Sequence, residues 1–405
     1  MKIPELFKPY IEGKYGQLLA DICHALVVIG EANGAERMVP ITSAHTSTII
    51  YYSAKETGLE FLDEVAASGV RFKVPTSVDP ISIDIQNYCE IGIPEEYAAA
   101  QMRSVKSFAK MGGLGNYTCT PWTAGNVPHK GDHIAWVDTS ALIYANSVLG
   151  ARSNRNVDPT AVAAAITGYV PEYGLHLEEN RKADCLINVE ASLESLADYA
   201  MLGTFAAKKF PEKNIAFIGL ENKLITDDIY HHIGPAMSTW GNIALYHVIG
   251  HTPEAETLYN VWDNLGIEIN FSDKDLETLH DEFSPKVKGK QFVVFGCPHC
   301  TLSEIESIAK LLEDKKIKQG NMLWVMTNSN TLELAKRNGY YDVITKSGSK
   351  VLADMCWVLS QKTDEIFLTY DSIVTDSTKG ALFSRSVGKP TYVKDKAACI
   401  ADILE

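Results

Sequence analysis

Cysteine is the residue type here with the widest chemical range, and the chain has eight. Cys297 belongs to Gly296-Cys297-Pro298-His299-Cys300, just past the apolar run QFVVFG. Three chemistries compete at this point. The two cysteines could be thiols packed at a strand–helix junction. They could form a C-x-x-C redox pair. Or Cys297 could be a single metal ligand at a strand end, where a helix N-terminus would favour thiolate. The redox reading is the weakest. The motif lies deep in a long chain without an export signal, and the surrounding strands read as parallel, without the hairpin of a thioredoxin sheet. Cys119 sits in the polar, proline-terminated loop Asn116-Tyr117-Thr118-Cys119-Thr120-Pro121, a setting unlike that of a core cysteine. Cys356, in Ala353-Asp354-Met355-Cys356-Trp357, reads by itself as a helix core residue. The three are too scattered for ferredoxin spacing, and spacing alone does not join them. Cys23, Cys89, Cys185 and Cys399 fall in apolar patterns and read as structural.

Two polar segments could contact a substrate. Ser43-Ala44-His45-Thr46-Ser47 follows a strand-like run. It could aim hydroxyls and an imidazole at a ligand, or it could cap a helix. In NSVLGARSNR, Asn146, Ser147, Arg152, Asn154 and Arg155 crowd together. Forked arginine recognises carboxylate or phosphate, and a solvated helix end is the plain alternative. His299 could orient a ligand or cap the next helix. His231-His232 lacks a nearby third ligand and reads as surface.

The elements that must carry these residues alternate. Helices are expected at 16–31, 94–111 and 158–168 and in TGLEFLDEVAASG, with strands in MVPITSAH and FKVPTSVDP and a strand then a buried helix over 132–150. A long mixed region runs to about 285. Beyond it, QFVVFG, NMLWVMTN, YDVITK, EIFLTY and PTYVKD read as five strands, with helices at 302–314, 330–338, 349–360, 376–383 and 396–404. That rhythm predicts a doubly wound parallel sheet, which binds ligands at the carboxyl ends of its strands. On this reading Cys356 lies in the helix after the third strand, and Asp371, Ser372, Thr375 and Asp376 follow the fourth. The expected organisation is an α/β region over 1–285 and a second α/β domain over 286–405.

The bulk numbers set outer limits. With 405 residues, two or three domains are expected. A hydrophobic content of 46% with 22% charged residues is that of an ordinary globular chain. A net charge of −14 argues against a nucleic-acid surface. No signal peptide or membrane span is read, so the expected compartment is the cytoplasm, where cysteines are thiols or metal ligands rather than disulfides.

SAHTSTIIYYSAKETGLEFLDEVAASGVRFKVPTSVDP, NYTCTPW, IAWVDTSALIYANSVLGARSNR, PEYGLHLEENR, FGCPH and ADMCWV occur in this order. Together they resemble the large-subunit domain of the aconitase X family over essentially the whole chain. The resemblance implies a multi-domain aconitase-like fold and hydro-lyase chemistry on a β-hydroxy carboxylate. It also implies an iron–sulfur cluster, of two, three or four irons, on Cys119, Cys297 and Cys356. The cluster's open iron position would act as Lewis acid for the leaving hydroxyl while a base takes the α-proton. It places His45, Ser47 and His299 in catalysis, and Ser43, Thr46, Asn146, Ser147, Arg152, Asn154, Arg155 and Lys379 at the substrate. The family's second part, a small swivelling domain thought to supply a serine base, finds no room after Asp376. A separate small subunit is therefore expected.

This chain departs from the family pattern in three places. Ala44-His45-Thr46-Ser47-Thr48-Ile49 stands where Ala-His-Val-Ser-Gly-Val is usual. Thr375-Asp376-Ser377-Thr378-Lys379 replaces Thr-Asn-Ser-Gly-Lys, and Ala381-Leu382-Phe383 replaces Ala-His-Tyr. These loops would read the substrate. The family includes cis-3-hydroxy-L-proline and phosphomevalonate dehydratases. Without a basic cluster beyond NSVLGARSNR, the sequence favours the unphosphorylated acid. The rivals are a thiol–disulfide oxidoreductase using Cys297 and Cys300, and an inactive binding or scaffold subunit.

Overall fold

The structure is a computed structural model that describes every residue except Thr48, Pro285, Lys286 and Lys288. The expected boundary between 285 and 286 thus falls outside the described residues.

Three parallel sheets follow one another along the chain. The first part contains β1 (Met38–Pro40), β2 (Ser43–Thr46), β3 (Thr76–Val78), β4 (Ile134–Trp136) and β5 (Tyr169–Pro171). Strands β3-β2-β4 form a parallel sheet, and β1 pairs antiparallel with β5. Next come β6 (Cys185–Val189), β7 (Ile215–Ile218), β8 (Tyr246–Val248) and β9 (Ile267–Phe271), in the order β8-β7-β6-β9, all parallel. The last part holds β10 (Gln291–Phe295), β11 (Met322–Thr327), β12 (Lys350–Ala353), β13 (Ser372–Thr375) and β14 (Thr391–Val393). Their order is β12-β11-β10-β13-β14, again all parallel. Strand direction of build-out reverses between β10 and β13, which makes their carboxyl ends the crevice of this sheet.

Strand β10 shows why the last sheet forms. All five residues are buried, as a parallel sheet covered on both faces requires. Phe292 and Val294 pack into a core shared with the first sheet, while Val293 and Phe295 pack on the opposite face. The shared core also takes in Leu352, Met355 and Trp357, so the first and last parts meet along an apolar seam.

Two expected strands are helices. YDVITK lies in the helix Tyr340–Lys346, and EIFLTY, but for its last residue, lies in the helix Gln361–Thr369. The third and fourth strands are the segments just after them, KVLA and SIVT. Short apolar runs suit either state, and burial decides. Leu368 in EIFLTY is 89% exposed, whereas all four residues of SIVT are buried. The expected helix 349–360 is therefore strand β12 plus a loop, and Cys356 lies in that loop. Ser372 and Thr375 are in β13 rather than beyond it. Among the described residues, no helix is long and apolar enough to cross a membrane.

Candidate active site

The carboxyl ends of strands from two sheets converge on one cavity of about 100 Å³. The first sheet contributes Asp79 after β3 and Asp138 after β4. The last sheet contributes Cys297 after β10, Cys356 after β12 and Lys379 beyond β13. Cys119 and His299 complete the polar wall, while Ile50, Trp357, Val358, Leu359 and Phe383 line the rest.

Backbone pairing sets each cysteine. The Cys119 loop is tied to β3 by a Thr118 amide donating to the Val78 carbonyl at 3.0 Å. The Cys356 amide donates to the Ile81 carbonyl at 2.9 Å, which joins its loop to the one that follows Asp79. Gly296 aims Cys297. Its φ is +102°, and a Cβ there would stand 2.3 Å from the Met326 carbonyl oxygen, so a side chain fits neither the conformation nor the space. Ser377 donates its hydroxyl to the Cys297 carbonyl and caps the helix Thr378–Ser386 by accepting from the Gly380 amide at 3.1 Å.

Burial dominates the thiols. It pushes Cys297 up to about 12, against the pull of Lys379, and it raises Cys119 and Cys356 as well. The expected lowering by a helix N-terminus does not occur, because the next helix starts only at Leu302. Such thiols give up their protons to a metal rather than to water. Cys300 points into the apolar core on the far face of the sheet, among residues such as Val293, Phe295 and Ile305. All eight cysteines are free, but Cys89, expected to be structural, is exposed.

The residues fit a multinuclear group. Among the described residues, only His232, Glu304 and Asp376 bring three donor atoms within 4.8 Å of one another. The three thiols around the cavity are thus more widely spaced than ligands of one tetrahedral ion, whose sulfurs approach to roughly 3.8 Å. They surround space for something larger.

Lys379 is a buried cation facing that space. Its Nζ donates to Ser140 Oγ at 2.7 Å and lies 3.6 Å from Asp138 Oδ2. Burial opposes this charge, but Asp138 and the nearby thiols hold the ammonium well above its usual pKa. Burial also opposes ionisation of Asp138. Lys379 and the amides of Ser140 and Ala141, which donate to its Oδ1 at 2.7 and 2.9 Å, outweigh that and keep its carboxyl below the ordinary range. Asp79 moves the other way: burial first, then the Asp138 charge, push it up to about 7. His45 restrains the rise, with Nε2 at 2.9 Å from Asp79 Oδ1 and Nδ1 at 2.8 Å from Ser77 Oγ.

Several expected site residues stand elsewhere. His299 lines the cavity, but burial lowers it to about 4, and its ring is spent on Thr118 Oγ1 at 3.1 Å and the Met355 carbonyl at 3.0 Å. It is a neutral brace, not a base. Ser43 accepts from the Trp136 indole at 2.7 Å. Thr46 is buried, and its carbonyl receives the Asp79 amide at 2.8 Å. Ser47 donates to Asp158 through its amide at 2.8 Å and its hydroxyl at 3.1 Å. Asn146 bonds the Ser153 and Ala244 backbone, and Ser147 accepts the Tyr246 amide. Asn154 pins the Tyr173–Leu175 turn. Arg152 is consumed by Glu178 and the His176 carbonyl. None of these seven lines the cavity. Arg155 does not line the cavity either; it is exposed and, among the described residues, donates only to Ser238 Oγ at 2.7 Å. His231 and His232 are buried, not at the surface. Asp79 and Asp138 escaped the sequence reading; each lies just past a short buried strand, the position where ligands gather in parallel sheets. Thr48, the site of the expected glycine loss, lies outside the described residues.

Comparison with known proteins gives consistent matches. Three family models cover most of the chain: aconitase X first domain over residues 3–179, second domain over 183–281 and third domain over 290–405. The phosphomevalonate dehydratase large subunit of Methanothermobacter thermautotrophicus is 39% identical, over 91% of this chain and 90% of that protein. The cis-3-hydroxy-L-proline dehydratase of Pseudomonas aeruginosa is 27% identical, over 96% of this chain and 68% of that protein. The crystal structure of Thermococcus kodakaraensis aconitase X in its holo-form superposes with a TM-score of 0.90 at 33% identity, covering 100% of both chains.

Proposed function

Because the chain is a member of the aconitase X family, we propose that it is the cluster-binding large subunit of a dehydratase acting on a β-hydroxy carboxylate, phosphomevalonate. The observation that carries this is the convergence of Cys119, Cys297 and Cys356, from three separate segments, on one cavity with a buried lysine. They are the ligands of an iron–sulfur cluster. When bound, that cluster supplies a Lewis acid for the departing hydroxyl.

The rest of the chemistry falls to the protein. Lys379 offers a desolvated ammonium to the substrate carboxylate, and Asp138 and Ser140 fix its direction. Asp79, poised near neutrality and held by His45, carries a proton at its carboxyl oxygen facing the cavity. Trp357, Val358, Leu359 and Phe383 keep water away from these charges. A distal phosphate is assigned to Arg155, whose guanidinium, among the described residues, bonds only the Ser238 hydroxyl. We assign the α-proton base to a small partner subunit, whose existence is implied by relatives named large subunits. The sequence alone leaned toward an unphosphorylated imino acid. Identities of 29–39% to five phosphomevalonate dehydratase large subunits, against 25% and 27% to two hydroxyproline enzymes, favour the phosphorylated acid. The C-terminal domain begins near 286, and the eight free thiols suit the cytoplasm.

The test is anaerobic purification with a co-expressed small subunit. Iron, sulfide and a visible charge-transfer band should be present, and phosphomevalonate should be dehydrated in preference to cis-3-hydroxy-L-proline. Alanine at Cys119, Cys297 or Cys356 should abolish the band; alanine at Cys399 should not. Colourless, iron-free protein after anaerobic reconstitution overturns the proposal.

A further inference from the structure

Asp376 follows β13 directly and points away from the cavity that Ser377 and Lys379 serve. It is 2% exposed, and among the described residues its Oδ2 has no hydrogen-bond donor. Two cations face it instead: Lys396 Nζ at 3.3 Å and His232 Nε2 at 4.0 Å. The same two cations face Glu304 Oε1, each at 3.0 Å. Four side chains from four segments thus form a closed square: His232 on the helix Asp227–Gly241, Glu304 at the third position of the helix Leu302–Leu312, Lys396 at the start of the helix Lys396–Ala401, and Asp376.

The charges of the square match. Burial works against Glu304, Lys396 and His232 alike. Their partners outweigh it, holding Glu304 well below the carboxylate range and the two bases above their usual values. Lys396 supplies the positive charge that a metal ion would otherwise bring to His232, Glu304 and Asp376. A buried square of this kind tolerates loss of a matched pair far better than loss of one member.

The square is coupled to the cavity through one short turn. The residue after Asp376 is Ser377, which holds the Cys297 carbonyl, and Lys379 lies two further on. We propose that Lys396, with His232 and Glu304, is a positioning residue: by matching the charge of Asp376 it sets the Ser377–Lys379 turn, and so the placement of Cys297 and Lys379 in the cavity. The effect on turnover rests on the function proposed above; the hold on Cys297 does not.

The test is a charge-rescue series. Lys396→Met leaves two acids sharing His232. Adding Asp376→Asn leaves Glu304 and His232 matched again. Two readouts are taken. In the iron-free full chain, the rate of Cys297 alkylation by iodoacetamide is followed by peptide mass spectrometry, with exposed Cys89 as internal reference. In the loaded complex, kcat and KM for dehydration are measured. Lys396→Met should change Cys297 alkylation several-fold and lower kcat roughly ten- to hundredfold, with KM little changed. The double variant should return both toward wild type. A Lys396→Met protein with wild-type alkylation, or a double variant no better than the single, overturns the proposal. If Lys396→Met does not accumulate as folded protein, the double variant decides: charge matching requires it to fold with wild-type Cys297 reactivity. If wild type dehydrates nothing, the functional proposal has failed, and alkylation still tests the square.

Discussion

The backbone amide of His299 donates to Cys119 Sγ at 3.3 Å, although the two residues are 180 positions apart. The same histidine reaches Thr118 with one ring nitrogen and the Met355 carbonyl, next to Cys356, with the other. One residue, two positions after Cys297, therefore touches the segments of the other two cysteines. Since a carbonyl can only accept, Nε2 carries the proton and Nδ1 accepts from Thr118.

This arrangement makes a pH prediction. Burial holds His299 at about 4 in the fold against 6.5 in the unfolded chain. The unfolded chain then binds the extra proton between those values. The stability this neutral histidine lends is present above pH 6.5 and is lost as pH falls toward 4, by about 3 kcal/mol in full. His299→Gln keeps one donor and one acceptor but cannot titrate. Thermal unfolding from pH 7 to 4 should show the wild type losing its advantage over His299→Gln as pH drops. A constant difference across that range would contradict the assignment.

Cys297 and Cys300 separate two chemistries. Cys300 packs among apolar side chains behind the sheet and does not line the cavity. Cys300→Ala should cost about 1 kcal/mol, as a small cavity does, with iron content and the visible band retained. Cys297→Ala should lose both. Loss of the band in both variants would restore the paired-thiol reading.

His45 should set where Asp79 titrates. Its hydrogen bond and charge pull Asp79 down from the value that burial alone would give. His45→Asn removes the charge, so Asp79 rises, and any limb of the kcat profile due to Asp79 moves to higher pH. Asp79→Asn should remove that limb and lower kcat on the order of a hundredfold. A limb that stays in place in His45→Asn would assign it to another group.

Much of the frame was legible in the sequence. The strand–helix alternation after residue 290 declared a parallel sheet, and the end of QFVVFG located Cys297 at its crevice. Two strands were misplaced because YDVITK and EIFLTY are as apolar as KVLA and SIVT. Only the packing partner tells a surface helix from a buried strand. The polar residues failed for a related reason. Ser43, Asn146, Ser147 and Asn154 have the composition of a binding loop, yet each is spent on a backbone or indole group contributed by a distant segment. Composition shows that a residue can bond; the partner is a property of the fold. His231-His232 was misjudged for want of a third ligand nearby in sequence, while Glu304 and Asp376 meet His232 only in space.

Arg152 and Arg155 look equivalent in NSVLGARSNR, and the structure separates them. Arg152 is neutralised by Glu178 and also bonds the His176 carbonyl. Among the described residues Arg155 has no acidic hydrogen-bond partner and holds only the Ser238 hydroxyl. A free guanidinium can take a phosphate in a fork; one already paired would first have to give up its carboxylate. Arg155→Ala should therefore raise KM for phosphomevalonate at least tenfold with little change in melting temperature, since charge-assisted bonds contribute roughly 1.5–3 kcal/mol. Arg152→Ala should leave KM within about twofold, because its exposed pair with Glu178 contributes roughly 1 kcal/mol or less. Steady-state kinetics of the two variants on phosphomevalonate and on cis-3-hydroxy-L-proline checks both points. A KM effect of Arg155→Ala that is equal on the two substrates would remove the arginine from phosphate recognition.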